Sequence, residues 1–415
     1  MAKTKLAAVA MANYGKATNE LFTQFVARIA LEIPNATLAM FSTLKYVNAP
    51  TLEILRNNWN AKYLGGFVVH SKAFEGLNGN FPIGFLVWAT NQNAKKKEEI
   101  AEISTEVLDR YVQPIGEKSF YNISGTKLLT DWVVRPATNS RNIVPLKNAV
   151  VPATASKDLR GTKWADGALA WLNCAGNDLQ QAGTLTFLIS SGFSSGRGFF
   201  VTSENLWQVA IVFSVRRLIK PTWLNDRDQF LQPTASLTDE FKTDCLMWML
   251  FNGSNLTASA NNLEWNNQTW SIVNHFIPFT EAEVNAPARF ESDFMVQYLA
   301  SLPALKTPSP QPSPAGRGRS EAEGEGGLSA EARTVLNAGR NLWQAYFAQT
   351  DVRNVRDELK LNRPDVGWYQ IRNALKARNA SGDFTPVSFA EFEAAYKTLG
   401  DKLRPQVYEL GFLRK

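Results

Sequence analysis

The order of elements over residues 18–90 constrains the fold more than any other feature of the chain. ATNELFTQFVARIALEIP places Leu21, Phe22, Phe25, Val26 and Ile29 at helical spacing, with Thr18 or Asn19 as cap and Pro34 beyond the end. ATLAMFS then reads as a strand over 36–42, Asn48 and Pro50 open a helix to Trp59, and Gly65-Gly66 introduces a strand over 67–70. A polar loop over 71–80 leads to a last strand, FPIGFLVWA, over 81–89. Strand–helix–strand is the parallel crossover of α/β folds. The final loop is too short for a helical crossover, so the last strand is expected to run antiparallel to its neighbour. A doubly wound sheet needs several earlier strands. Almost nothing precedes residue 18, so the sheet is expected to begin in its middle.

Beyond it, KKKEE at 95–99 is expected to open an amphipathic helix to about residue 111, with a solvated charged face. Residues 118–310, rich in Trp, Asn and Gly, read as a mixed α+β region with strand-like runs at 185–189 and 209–215. TPSPQPSPAGRGRSEAEGEGG cannot bury a core and reads as a linker. Residues 329–350 form an amphipathic helix capped by Ser329, and 388–410 hold more helix, interrupted at Pro405. The division is therefore 1–115, 116–305, a linker at 306–328, and a helical 329–415.

The segment LFTQFVARIALEIPNATLAMFSTLKYVNAPTLEILRNNW, with GGFVVHSKAFEGLNGNFPIGFLVWAT after it, resembles the second half of the catalytic domain of N6-adenine-specific DNA methyltransferases of restriction–modification type. The resemblance covers about residues 17–90 and loosens towards 300. It implies a partial Rossmann-like sheet whose final strand is antiparallel, then an α+β target-recognition domain and C-terminal helices. It implies methyl transfer from S-adenosylmethionine to adenine in double-stranded DNA. The glycine-rich donor turn and the Asn-Pro-Pro-Tyr or Phe loop of that family do not occur in the sequence. The chain alone is thus expected to bind no donor, and a separate chain carrying the missing half is an expected partner. Phe74 matches the aromatic residue that stacks on a flipped adenine in related enzymes; plain packing at the sheet edge is its competing role.

Two alternatives stand beside this reading. One is a non-catalytic DNA-binding specificity subunit of a split restriction–modification system. The other is an unrelated α/β enzyme, which needs four or more further parallel strands continuous with the first sheet.

The formal charge of +6 permits a polyanionic partner without requiring one. Cations interleaved with aromatics mark Arg160, Lys163, Arg197, Arg216, Arg217 and Arg227 as candidate DNA contacts. The loop SSGFSSGRGFF lacks the spacing of a nucleotide cradle. Cys174 and Cys245 form no CxxC pair and fit a reducing cytoplasm. With His70 and His275 the only histidines, neither a metal nor a catalytic triad is expected. Asp226-Arg227-Asp228 reads as a cap or ion pair rather than a metal site. No apolar stretch is long enough to span a membrane, and the run at 6–12, at the short limit for a signal-peptide core and mostly alanine, is not expected to direct secretion.

Overall fold

The computed structural model describes residues 5–91, 100–123, 127–140, 163–190, 198–303, 327–349, 363–376 and 385–414. The chain is mixed α/β with several sheets. Of the linker read at 306–328, residues 306–326 lie outside the described residues, while Leu328 is buried in the second core and so belongs to the fold.

The chain opens with α1 (Lys5–Tyr14), which buries Ala7, Ala10 and Tyr14 and is a helix where the sequence read only a short apolar run. A short 3-10 turn leads to α2 (Leu21–Glu32). Neither Thr18 nor Asn19 caps α2; Glu20 stands there, and the Thr18 hydroxyl donates to the Gly15 carbonyl. The buried face of α2 is Thr23, Val26, Ala27 and Ala30, while Leu21 and Phe25 are exposed. The small residues win this face because they let α2 lie close to its neighbours.

Strand β1 (Asn35–Thr43) follows, then α3 (Lys45–Asn48), α4 (Glu53–Asn58), β2 (Ala61–His70) and β3 (Pro82–Asn91). β3 lies between β1 and β2 and runs antiparallel to both, so β1 and β2 are parallel to each other. The expected antiparallel last strand is present. β2 is longer than read because it takes in the glycine pair across a bulge between Tyr63 and Gly65. Gly66 sits at φ +152 with its α-carbon so close to β3 that a Cβ would fall 2.2 Å from the Phe85 carbonyl oxygen.

The expected helix to residue 111 is instead β4 (Glu102–Leu108), paired parallel to β2; residues 95–99 lie outside the described set. Ile103, Thr105 and Val107 alternate inward, a two-residue period that the charged run at 95–99 masked. β5 (Pro114–Tyr121) closes a five-stranded sheet of order β1-β3-β2-β4-β5. Among the described residues β4 is the one further strand that joins this sheet in parallel, far short of the four that a self-contained α/β enzyme needs.

One face of this sheet is covered. Tyr14, Val26, Ala27, Tyr46 and Leu55 from the helices meet Leu38, Val68, Trp88, Ile103 and Phe120 from the strands. The Trp88 indole N–H donates to the Tyr46 hydroxyl at 2.9 Å, and burial pushes that phenol well above its usual range. The opposite face is bare over β1, where Phe41 is half-exposed.

The rest of the chain builds a second core. Short strands β6 (Asn139–Ser140) and β7 (Lys163–Trp164) pair with each other. Then come β8 (Ala170–Cys174), α5 (Leu179–Leu185), β9 (Thr186–Ile189) and β10 (Gly198–Val201), the three strands forming an antiparallel sheet of order β10-β8-β9. The strand-like run 209–215 lies instead in α6 (Leu206–Leu218), almost wholly buried. An apolar run buried all round carries no period, so periodicity could not separate helix from strand there. Next are α7 (Asp239–Leu250), the hairpin β11 (Ala260–Trp265) and β12 (Gln268–Ile272), and the short helices α8 (Glu281–Val284) and α9 (Phe294–Ala300).

α10 (Ala330–Phe347), α11 (Trp368–Ala374) and α12 (Ala390–Glu409) pack onto α6 and α7, so one continuous core runs from Leu129 to Leu413. Ser329 caps α10 as read, accepting from the Ala332 N–H at 3.1 Å. Pro405 does not interrupt α12. It lies on the exposed side, where water can satisfy the carbonyl that loses its partner. No helix among the described residues is long and apolar enough to cross a membrane.

Candidate functional site

The carboxyl ends of β1 and β2 lie together, and ligands of open α/β sheets bind at such ends. Here Phe41, Phe85 and Phe67 sit side by side in register across β1, β3 and β2. Phe74, on the loop after β2, packs edge-on against Phe41 with ring centroids 5.4 Å apart. Ser71 closes that loop, its hydroxyl donating to the Gly79 carbonyl at 2.6 Å. Phe74 is half-buried, so it plugs the bare face and still offers part of a ring to solvent. His70 ends β2 with its Nδ1 accepting the Lys72 N–H at 3.0 Å. Burial, then Lys72 and Arg110, lowers its pKa and favours the neutral ring.

The segment after α6 straps the two cores together. Trp223 and Leu224 pack against the core of the first sheet, and Trp223 meets His70 at 4.8 Å between rings. Lys118 on β5 pairs with Asp228 at 2.7 Å, and the Asn48 side-chain amide donates to the Arg227 carbonyl at 3.3 Å. Asp226 is 3% exposed, its nearest cation is Arg227 at 3.8 Å, and burial pushes its carboxyl up to about 6. Arg227 itself is half-buried beside it. A cleft of roughly 770 Å³ opens along the same seam, where Arg414 lies 4.8 Å over the Tyr121 ring and Lys127 and Tyr408 line the wall.

The candidate cations separate sharply. Arg216 is fully enclosed, donating to the Gly176 and Ala175 carbonyls at 2.6 and 3.0 Å and to the Thr186 hydroxyl at 2.7 Å. Arg217 donates to the Thr186 carbonyl at 2.9 Å and to the Asn252 side chain at 3.1 Å. Arg216 is shut away from any phosphate in this fold, whereas Arg217 is tied to the body on one side and stays partly exposed. Two adjacent arginines at the end of a buried helix reach instead to carbonyls of neighbouring segments, Gly176 and Ala175 for Arg216 and Thr186 for Arg217. Lys163 begins β7 opposite Ser140, and Arg160 and Arg197 lie outside the described residues. Their described neighbours meet: Trp164, next to Lys163, packs edge-on against Phe200 at 5.2 Å, two residues beyond Gly198.

No group of His, Cys, Asp or Glu among the described residues is arranged to hold a metal ion. Both cysteines are buried, with burial raising each thiol pKa, so neither is a poised nucleophile. Within the strap over 220–229 the sequence marked Arg227 and the ion-pairing run Asp226-Arg227-Asp228, but not that the segment joins the two cores.

No family model, curated protein or solved structure matches the chain.

Proposed function

We propose that this chain is the distal part of an adenine-N6 DNA methyltransferase, supplying the last strands of the catalytic sheet and the DNA-recognition body. The observation that carries the reading is the sheet. A parallel β1–helix–β2 crossover ends in the antiparallel β3, and β1 has no strand on its outer edge among the described residues. In the complete enzyme the donor site for S-adenosylmethionine and the Asn-Pro-Pro loop come from elsewhere, in the same polypeptide or a partner. Phe74 forms one wall for the extruded adenine, and the body holds double-stranded DNA.

The test is methyl transfer from labelled donor to duplex DNA. The purified chain is expected to transfer none. Transfer is expected when a polypeptide bearing the glycine-rich turn and the Asn-Pro-Pro loop is added. Duplex binding by the chain alone should weaken with salt along a negative log–log slope. Transfer by the chain alone would overturn the division of labour, and absence of duplex binding at low salt would overturn the DNA reading.

A further inference from the structure

The cleft on the seam lies at the far end of the first sheet from Phe74. Tyr121 ends β5 opposite Glu102, the first residue of β4, and β4 runs parallel to β2. The cleft therefore sits at the amino ends of those two strands, away from the carboxyl ends that form the candidate site. Its walls come from both cores: Tyr121 from the sheet region, and Gln232, Tyr408 and Arg414 from the body. Its roughly 770 Å³ is within the range of about 300–1,000 Å³ usual for small-molecule sites. Arg414 and Lys127 line it, both exposed, and neither pairs with a carboxylate among the described residues. Glu409 is the one carboxylate on the wall. A notch of roughly 10 Å³ adjoins the cleft, shares Tyr121 and Arg414 with it, and is lined by Asn48. Asn48 is 3% exposed, and its amide N–H donates to the Arg227 carbonyl at 3.3 Å. Its Oδ1 has no hydrogen-bond partner among the described residues. A buried acceptor without a donor is costly, and an N–H or O–H entering the notch would satisfy it.

We infer that this cleft binds a nucleoside phosphate, which bridges the two cores. Each part of such a molecule has its counterpart here. Arg414 and Lys127 meet the phosphate, leaving the wall's excess positive charge neutralised. Arg414 lies 4.8 Å over the Tyr121 ring, and a stacked guanidinium still turns its N–H edge to an anion. Tyr121 and Tyr408 are half-buried, so each presents part of a ring on which a base can lie. An amino or hydroxyl group of the base or sugar reaches Asn48. A bare anion would use the two cations and leave the rings and Asn48 idle, and an apolar ligand would leave the cations unmatched. Contact with both cores makes the ligand an effector that fastens the sheet to the body beside the Lys118–Asp228 pair. The inference does not rest on the methyltransferase reading.

The full-length chain is titrated by calorimetry with the four common ribonucleoside 5′-monophosphates, with ribose 5-phosphate and with inorganic phosphate. At least one nucleotide is expected to bind more tightly than ribose 5-phosphate or phosphate, by about tenfold or more. Lys127→Gln with Arg414→Gln changes two exposed side chains and should weaken that nucleotide about 10–100-fold. Lys5→Gln with Arg28→Gln removes the same charge from exposed positions elsewhere and should leave binding within about twofold. The nucleotide should also raise the melting midpoint of the parent, and do so less in the Lys127 and Arg414 variant. No binding of any of the four at about 1 mM would overturn the inference. So would phosphate binding as tightly as the nucleotide, or an equal loss in the two charge variants. None of these outcomes touches methyl transfer, whose own test is separate.

Discussion

The two cores of this molecule treat apolar surface in opposite ways. Among the described residues every exposed large apolar side chain except Val134 lies before residue 116, including Val9, Leu21, Phe25, Phe41 and Ile54. The body from Leu129 onward buries its aromatics in a continuous network, with Phe251, Trp343, Trp368 and Phe392 in mutual contact. Each core also encloses an arginine, and the uses match. Arg56 donates to the Tyr46 and Ala49 carbonyls in the sheet region, as Arg216 does to Gly176 and Ala175 in the body. The difference therefore lies in completeness of cover and not in how each interior is satisfied. A body of this kind can stand alone, whereas the sheet region is finished on one face and open on the other.

This contrast predicts separable behaviour. Arg216→Met should destabilise the body most, by about 3–5 kcal/mol, because it leaves buried carbonyls and the Thr186 hydroxyl without their donor. Thermal melting should show the body's transition falling while the sheet's is retained. Gly66→Ala should do the reverse, costing the sheet about 2–3 kcal/mol through the clash with β3. Near-ultraviolet dichroism would then lose the Trp88 environment before that of Trp343. A single shared transition in both variants would show that the cores are one cooperative unit.

The seam is the next place to press. Lys118→Met strands Asp228 at a nearly closed site, and a loss of about 2 kcal/mol with divergence of the two melting transitions is expected. Asp226 gives a signed pH effect. Its carboxyl is raised to about 6 from 3.8, so ionisation opposes folding. The penalty is full above pH 6 and is lost as pH falls from there towards 3.8. Asp226→Asn should thus raise stability by about 1–2 kcal/mol at pH 7.5 and flatten its pH dependence through that window, measured by urea unfolding. The smallest effect belongs to the open surface. Phe25→Ser should change stability by less than about 0.5 kcal/mol, since the ring is largely in water, and should reduce any self-association seen in sedimentation.

Much of the first sheet was legible in the sequence because its strands are punctuated by glycine and proline and partly exposed. β1, β3 and the antiparallel sense of β3 came from run length and loop length. What failed did so for identifiable reasons. The period of β4 was hidden behind neighbouring lysines, and α6 has no polar face to reveal its turn. α2 puts alanine and threonine inward where residue size alone favoured Leu21 and Phe25. Arg216 and Arg217 looked like surface cations because one-dimensional reading cannot see the carbonyls they reach. Phe74 was located at the sheet's end but its contact with Phe41 needed the register of β1 with β3.

The outer edge of β1 has a consequence for how the chain must be handled. NATLAMFST contains no charged residue and no proline, and among the described residues no strand pairs with its outer edge. Proteins normally guard such a strand with lysine, proline or a bulge, because any other extended peptide can zip onto it. Produced without cover, this polypeptide is therefore expected to clump through β1 on concentration or ageing, and a single Ala39→Lys would act as a gatekeeper.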